Sequence, residues 1–139
     1  MIRYDEIMIG DYVLVKGTPR KVEAITKKKI GYHTNLLKIG LSYSRLCECD
    51  HIKITPDWLL EKGFMQRNAY NRDMFTKLEN DYFLIVEYHC GLSMTLRIDD
   101  TQRCSAIGFP IVYHIPPTLA GLQNFLRLTK YGKYFNIEP

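Results

Sequence analysis

The first third of the chain is a succession of short runs of β-branched and aromatic residues, broken by turn residues at close intervals. That is the pattern of short strands with no helix between them. Four runs stand out: "DYVLVKG" at 11–17, "RKVEAIT" at 20–26, "KIGYHT" at 29–34 and "LLKIGLSY" at 36–43. In the last, Leu37, Ile39 and Leu41 alternate with Lys38, Gly40 and Ser42, which predicts a half-buried strand. Gly17-Thr18-Pro19 predicts the hairpin turn between the first two runs. Strands this short must curl and pair to bury one face and remove their edges. Residues 1–54 are therefore expected to form a small SH3-like β-barrel.

The period changes at "ITPDWLLEKGF", 54–64. Thr55 suits a helix N-cap and Pro56 the first helical position, Asp57 complements the positive end of the helix dipole, and Gly63 suits the left-handed residue that ends the helix. Trp58, Leu59 and Phe64 are expected to pin this helix to a neighbouring sheet. The polar stretch 65–77 predicts a loop. Alternation returns at 81–89 and 93–98, where Met94, Leu96 and Ile98 oppose Ser93, Thr95 and Arg97, with Cys90-Gly91 as the turn between. Residues 99–108 predict a loop, and 109–115 a strand in which Pro110 requires an edge or a strand start. From 116 to 135, Leu119, Leu122, Phe125, Leu126 and Thr129 recur at helical intervals, with Pro117 near the start and Gly132 near the close. The fold class is α+β: a barrel running into an antiparallel sheet covered by a short central helix and a C-terminal helix. Without a Gly/Ser/Pro-rich linker the whole of 1–139 reads as one domain, with 1–54 and 55–139 as its sub-units.

At 139 residues and 46% hydrophobic content the chain has the material for one core, and no stretch approaches the roughly 20 apolar residues of a membrane span. Asp5 and Glu6 stand where a signal peptide would need an apolar run, so a cytoplasmic protein away from the membrane is expected. The four cysteines (Cys47, Cys49, Cys90, Cys104) are irregularly spaced and predict free thiols. The net charge of +4 is unevenly placed. Ten Lys/Arg oppose six Asp/Glu through Ile54, and nine oppose nine from Thr55 onward.

Three groups of residues bear on chemistry. Cys47, Cys49 and His51 are spaced by two, so in a strand all three would share a face and offer part of a metal site; the alternative is that the cysteines are small buried hydrophobes. Arg20, Lys21, Lys27, Lys28 and Lys29, with Tyr32, combine clustered cations and an aromatic, the ingredients of phosphate contact and base stacking. The same lysines also suit a solvated hairpin tip. Tyr82, Tyr88, Tyr113, Tyr131 and Tyr134 make the second half a candidate interface, or supply ordinary packing. No Gly-x-Ser-x-Gly, His-Glu-x-x-His, Walker A or dinucleotide-binding motif is present, so no catalytic residue and no cofactor is assigned. Asp99 and Asp100, or Cys90 or Cys104 with His89 or His114, are the residues a small enzyme would draw on.

The segments "IGDYVLVKGTPRKVEAIT", "IKITPDWLLEKGF" and "LAGLQNFLRLTKYG" together resemble a group of small uncharacterised bacterial proteins often carried on prophages and other mobile elements. The resemblance covers nearly the full length. It rests on Gly10, Asp11 and Val13, on Thr55, Asp57, Trp58, Leu59, Gly63 and Phe64, and on Leu122, Gln123, Asn124 and Phe125. It implies a shared fold and a mobile-element setting, and brings no activity with it. Gln123 and Asn124, polar within an apolar helix, are the matched residues that packing alone leaves unexplained. The expected function is a non-catalytic binding or adaptor protein that interacts with another protein. A nucleic-acid-binding accessory factor using the basic hairpin is the alternative, and a small enzyme the third.

Overall fold

Strand β1 (Tyr12–Val15) turns back onto β2 (Thr18–Lys21) through Lys16 and Gly17, whose φ angles are +49° and +82°. Val15 faces Thr18 across this two-residue turn, whose left-handed pair matches the twist of the strands it joins. Thr18 and Pro19 therefore belong to β2 and not to the turn expected at Gly17–Pro19. Pro19 is tolerated because β2 is the edge strand of its sheet, with β1 on its inner side. The run 20–26 is interrupted: Val22 leaves the ladder, donating its N–H to Asp11 C=O (2.8 Å) and accepting from Gly10 N–H (2.7 Å). The chain then enters a second sheet, β3 (Ala24–Ile25), β4 (Lys29–Tyr32) and β5 (Ser42–Arg45), in that order.

The computed structural model describes residues 1–34, 37–69, 72–100 and 113–139. In the run 36–43, pairing begins only at Ser42. Lys38 and Gly40 have φ of +51° and +70°, and Leu37 and Ile39 are 78% and 71% exposed, so the expected half-buried strand is a turn. A 3-10 turn, Leu46–Glu48, leads to β6 (Cys49–His51), which pairs with β1. Ile2, Ile7, Val13, Val15, Val22, Ile30, Leu46, Cys49 and Ala120 form one buried cluster. Among the described residues no strand ladder joins the two three-stranded sheets, so no closed barrel is formed.

Helix α1 (Pro56–Glu61) begins where Thr55 Oγ1 accepts the N–H of Trp58 (3.2 Å). It ends with Phe64 N–H on Leu59 C=O and Gly63 N–H on Leu60 C=O, a Schellman closure with Gly63 at φ +86°. Leu59 and Phe64 are buried, whereas Trp58 is only partly so, and the ammonium of Lys62 stands 5.6 Å from its ring. The polar stretch 65–77 is not a loop but most of a hairpin, β7 (Met65–Ala69) and β8 (Arg72–Glu79). Its pattern is masked because β7 is a sheet edge whose Met65, Gln66 and Arg67 are exposed.

Asn80 and Asp81, both left-handed, turn β8 into β9 (Tyr82–His89), and Cys90 and Gly91 begin the turn into β10 (Ser93–Asp100). With β11 (Tyr113–Ile115) these make a five-stranded antiparallel sheet, β11-β10-β9-β8-β7, whose inner face carries Phe75, Leu84, Val86, Met94 and Leu96. Asp99 and Asp100 lie in β10 and not in the expected loop, because the ladder to β9 runs on to Tyr82. Cys104, Pro110 and the rest of 101–112 lie outside the described residues.

Helix α2 (Leu119–Leu128) is shorter than the expected 116–135; Thr118 Oγ1 caps it by accepting Gly121 N–H (3.1 Å), and a 3-10 turn, Gly132–Tyr134, follows. The chain divides into two compact units. One is Met1–Lys53 with Thr118–Asn124 and Glu138–Pro139, the other Ile54–Pro117 with Phe125–Ile137. Mostly antiparallel sheet with two α-helices, the described residues make an α+β fold, and none of their helices is long and apolar enough to cross a membrane.

Candidate nucleic-acid interface

The basic hairpin is built by Thr26. Its backbone N–H donates to Lys29 C=O (2.9 Å), and its hydroxyl oxygen accepts the N–H groups of Lys29 (3.0 Å) and Lys28 (3.4 Å). This fixes the β3–β4 turn and sets Lys27, Lys28 and Lys29 on its exposed tip. From there the alternation of β4 and β5 sorts side chains onto two faces. Ile30 and Tyr32 point into the core, and Ser44 goes with them, its Oγ 2.6 Å from the Tyr32 hydroxyl. Lys29, Gly31, Tyr43 and Arg45 take the outer face.

On that outer face Tyr43 is 55% exposed and lies across Gly31. A Cβ on Gly31 would stand 2.9 Å from Tyr43 Cε1 and 3.1 Å from the Cβ of Ala24, so the missing side chain is what lets the ring settle against the sheet. Lys29 and Arg45 pair directly across the strands. Like charges in that position are destabilising. Among the described residues neither has a carboxylate within ion-pair distance, and the same holds for Lys27 and Lys28. The result is an accessible aromatic ring next in register to cations that no carboxylate among the described residues compensates.

The residues singled out in sequence divide accordingly. Lys27, Lys28 and Lys29 are exposed at the tip, and Lys21 is exposed on β2. Arg20 is half-buried with its guanidinium 5.6 Å from the centre of the Tyr32 ring. Tyr32, at 8% exposure, has no face free to receive a base, whereas Tyr43 on the outer face is 55% exposed. Tyr43 and Arg45 were not singled out. The period-2 reading of "SYSR" could have found them, with serines on one face and tyrosine and arginine on the other.

The metal candidate comes apart. Cys47 is exposed in the 3-10 turn, and the strand that was to align all three side chains starts only at Cys49. Cys49 is buried in the core with its thiol 3.3 Å from Arg45 C=O, and burial pushes that thiol up from its ordinary value. His51 Nε2 lies 3.2 Å from Glu6 Oε2. The Arg3 backbone N–H on the Glu6 carboxylate (2.9 Å), with His51 second to it, outweighs partial burial and holds Glu6 below the ordinary glutamate range. Among the described residues no three His, Cys, Asp or Glu side chains are grouped to hold a metal ion.

In the second unit Tyr82 stacks on Tyr131 (centroids 4.3 Å, planes 18° apart) and on Tyr134 (5.4 Å, 7°), so these rings cover one another. Tyr88 is half-buried, and the side chain of Tyr113 lies outside the description. The polar Gln123 has a role in the first unit, where its Oε1 accepts the N–H of Tyr12 (3.0 Å). Asp11, fully buried, accepts Met8 N–H on Oδ2 (2.8 Å) while donating its own N–H to Met8 C=O (3.0 Å), closing the turn before β1. Compared with family models, with curated proteins and with solved structures, the chain finds no match.

Proposed function

We propose that the protein binds single-stranded nucleic acid on the outer face of β3–β4–β5, as an accessory factor of a phage or other mobile element. One observation carries this: an exposed ring, Tyr43, seated on Gly31 in the outer-face row next to the cross-strand pair Lys29 and Arg45, on the side of the lysine tip. Stacking on an aromatic and neutralising neighbouring phosphates is how single strands are held without sequence preference. The cross-strand pair of cations supports the reading further, since a local rule broken without internal compensation points to a site and not to a structural device. Two three-stranded sheets around one buried cluster suit an open SH3-like arrangement that leaves this face free. The mobile-element setting rests on the resemblance in sequence. A protein-adaptor role through the tyrosines draws less support, because three of them are spent on one another.

Fluorescence anisotropy of labelled single strands across a salt series tests the proposal. Log affinity is expected to fall with log salt at about −0.7 per phosphate contact, with several contacts implied. Tyr43→Ala is expected to weaken binding by about 1–3 kcal/mol for each base stacked. Affinity unchanged by both Tyr43→Ala and Arg45→Glu would overturn it.

A further inference from the structure

The five-stranded sheet carries a second group of reactive side chains on the face away from its core. Glu87, Thr95 and His114 lie in register across β9, β10 and β11, and His89 is opposite Ser93 one step along. Thr95 Oγ1 is 2.9 Å from His89 Nε2 and 3.4 Å from His114 Nδ1; the rings are 5.6 Å apart, centroid to centroid. Glu87 Oε2 is 3.9 Å from His89 Nε2, in position as a counter-ion to a charged ring. Arg97 follows Thr95 on the same face, its Nε 3.4 Å from Asp99 Oδ2. His114 is exposed, and His89, Thr95 and Arg97 are partly so.

A hydroxyl has one proton and can donate to only one ring. The contacts are satisfied when His89 donates Nε2–H to Thr95 and the Thr95 proton goes to His114 Nδ1; a second proton, on His89 Nδ1, with Glu87 as counter-ion, makes His89 the acid. An acid and a base then stand side by side. The Thr95 hydroxyl is already held by both rings, which suits a reaction whose nucleophile belongs to the substrate. We propose that this cluster cleaves RNA by transesterification, an activity that goes beyond the binding reading and does not rest on it.

His114 Nδ1 takes the proton of the ribose 2′-hydroxyl, which displaces the longer of the two Thr95 contacts. The 2′-oxygen bonds to phosphorus, the bond from phosphorus to the 5′-oxygen breaks, and that oxygen leaves with a proton from His89 Nδ1. The products are a 2′,3′-cyclic phosphate and a 5′-hydroxyl, with nothing oxidised or reduced. Arg97 faces the phosphate oxygens, and Thr95 is a positioning residue.

The test incubates the full chain with the dinucleotide UpA, too short to need the basic sheet face, and with its 2′-deoxy analogue. The cyclic phosphate is read by mass spectrometry across pH. Cleavage of UpA alone is expected, with a rate that falls on both sides of an optimum set by the two rings among Glu87, Arg97 and Asp99. His89→Gln and His114→Gln should each lower it by about 10²–10⁴-fold with unchanged circular dichroism, since proton transfer contributes that much. Thr95→Val should displace the optimum and Thr95→Ser restore it. No cyclic product from the wild type, or a rate retained in both histidine variants, overturns the proposal whether or not the sheet face binds single strands.

Discussion

Gly132 sits where no other residue fits. A Cβ there would overlap the backbone carbonyl of Leu126, so the chain after α2 can fold back only with a hydrogen in that place. Gly132→Ala is expected to cost more than about 2 kcal/mol in urea unfolding, as overpacking against rigid backbone does; a change within error would show that the turn gives way. Cys49 provides a second measurement. Its buried, raised thiol should resist iodoacetamide in the native protein while exposed Cys47 and Cys90 are labelled, and should react only in denaturant. Peptide mapping that finds Cys49 labelled as fast as Cys47 would contradict its burial. Glu6 is a third. Its folded value lies below the unfolded one, so the carboxylate contributes stability above the ordinary glutamate range and loses it as pH falls through the lowered value. Glu6→Gln should therefore lower the urea midpoint at neutral pH, and the difference from wild type should vanish in strong acid.

At the level of elements, the β4–β5 pair sets stability against binding. Replacing one cation of the opposed Lys29 and Arg45 by an acid turns repulsion into attraction. Lys29→Glu is expected to stabilise the fold by up to about 1 kcal/mol while weakening single-strand binding and flattening its salt dependence. A variant both less stable and equally tight in binding would refute the role given to the pair. The elements also differ in how far sequence revealed them. Helix α1 was legible because its cap at Thr55 and its closure at Gly63 are local chemistry, readable within a dozen residues. The β7–β8 hairpin was hidden because its edge strand buries little, and the alternation at Leu37, Ile39 and Leu41 misled because Lys38 and Gly40 turn the chain there. The alternation in "SYSR" sets Tyr43 and Arg45 apart from the serines, but which of the two faces meets water, and so whether Tyr32 or Tyr43 is exposed, is decided by strand pairing, a non-local property.

For the whole molecule, the division into units matters more than the length of either. The boundary near Ile54 leaves the first unit short of Thr118–Asn124, which supplies Ala120 to its buried cluster and Gln123 to the N–H of Tyr12. A fragment of residues 1–53 should therefore give the collapsed amide spectrum of an unfolded chain, whereas dispersed resonances would show that the sheets suffice. The same arrangement orders events during synthesis. The strands of the first unit leave the ribosome well before the helix segment that completes it, since Thr118 follows Lys53 by 65 residues (118 − 53). At roughly 5–20 residues per second the early strands wait several seconds for it, with apolar surface and open edges uncovered. Translation speed and chaperone supply, and not intrinsic stability alone, should govern how much of this protein reaches its folded form.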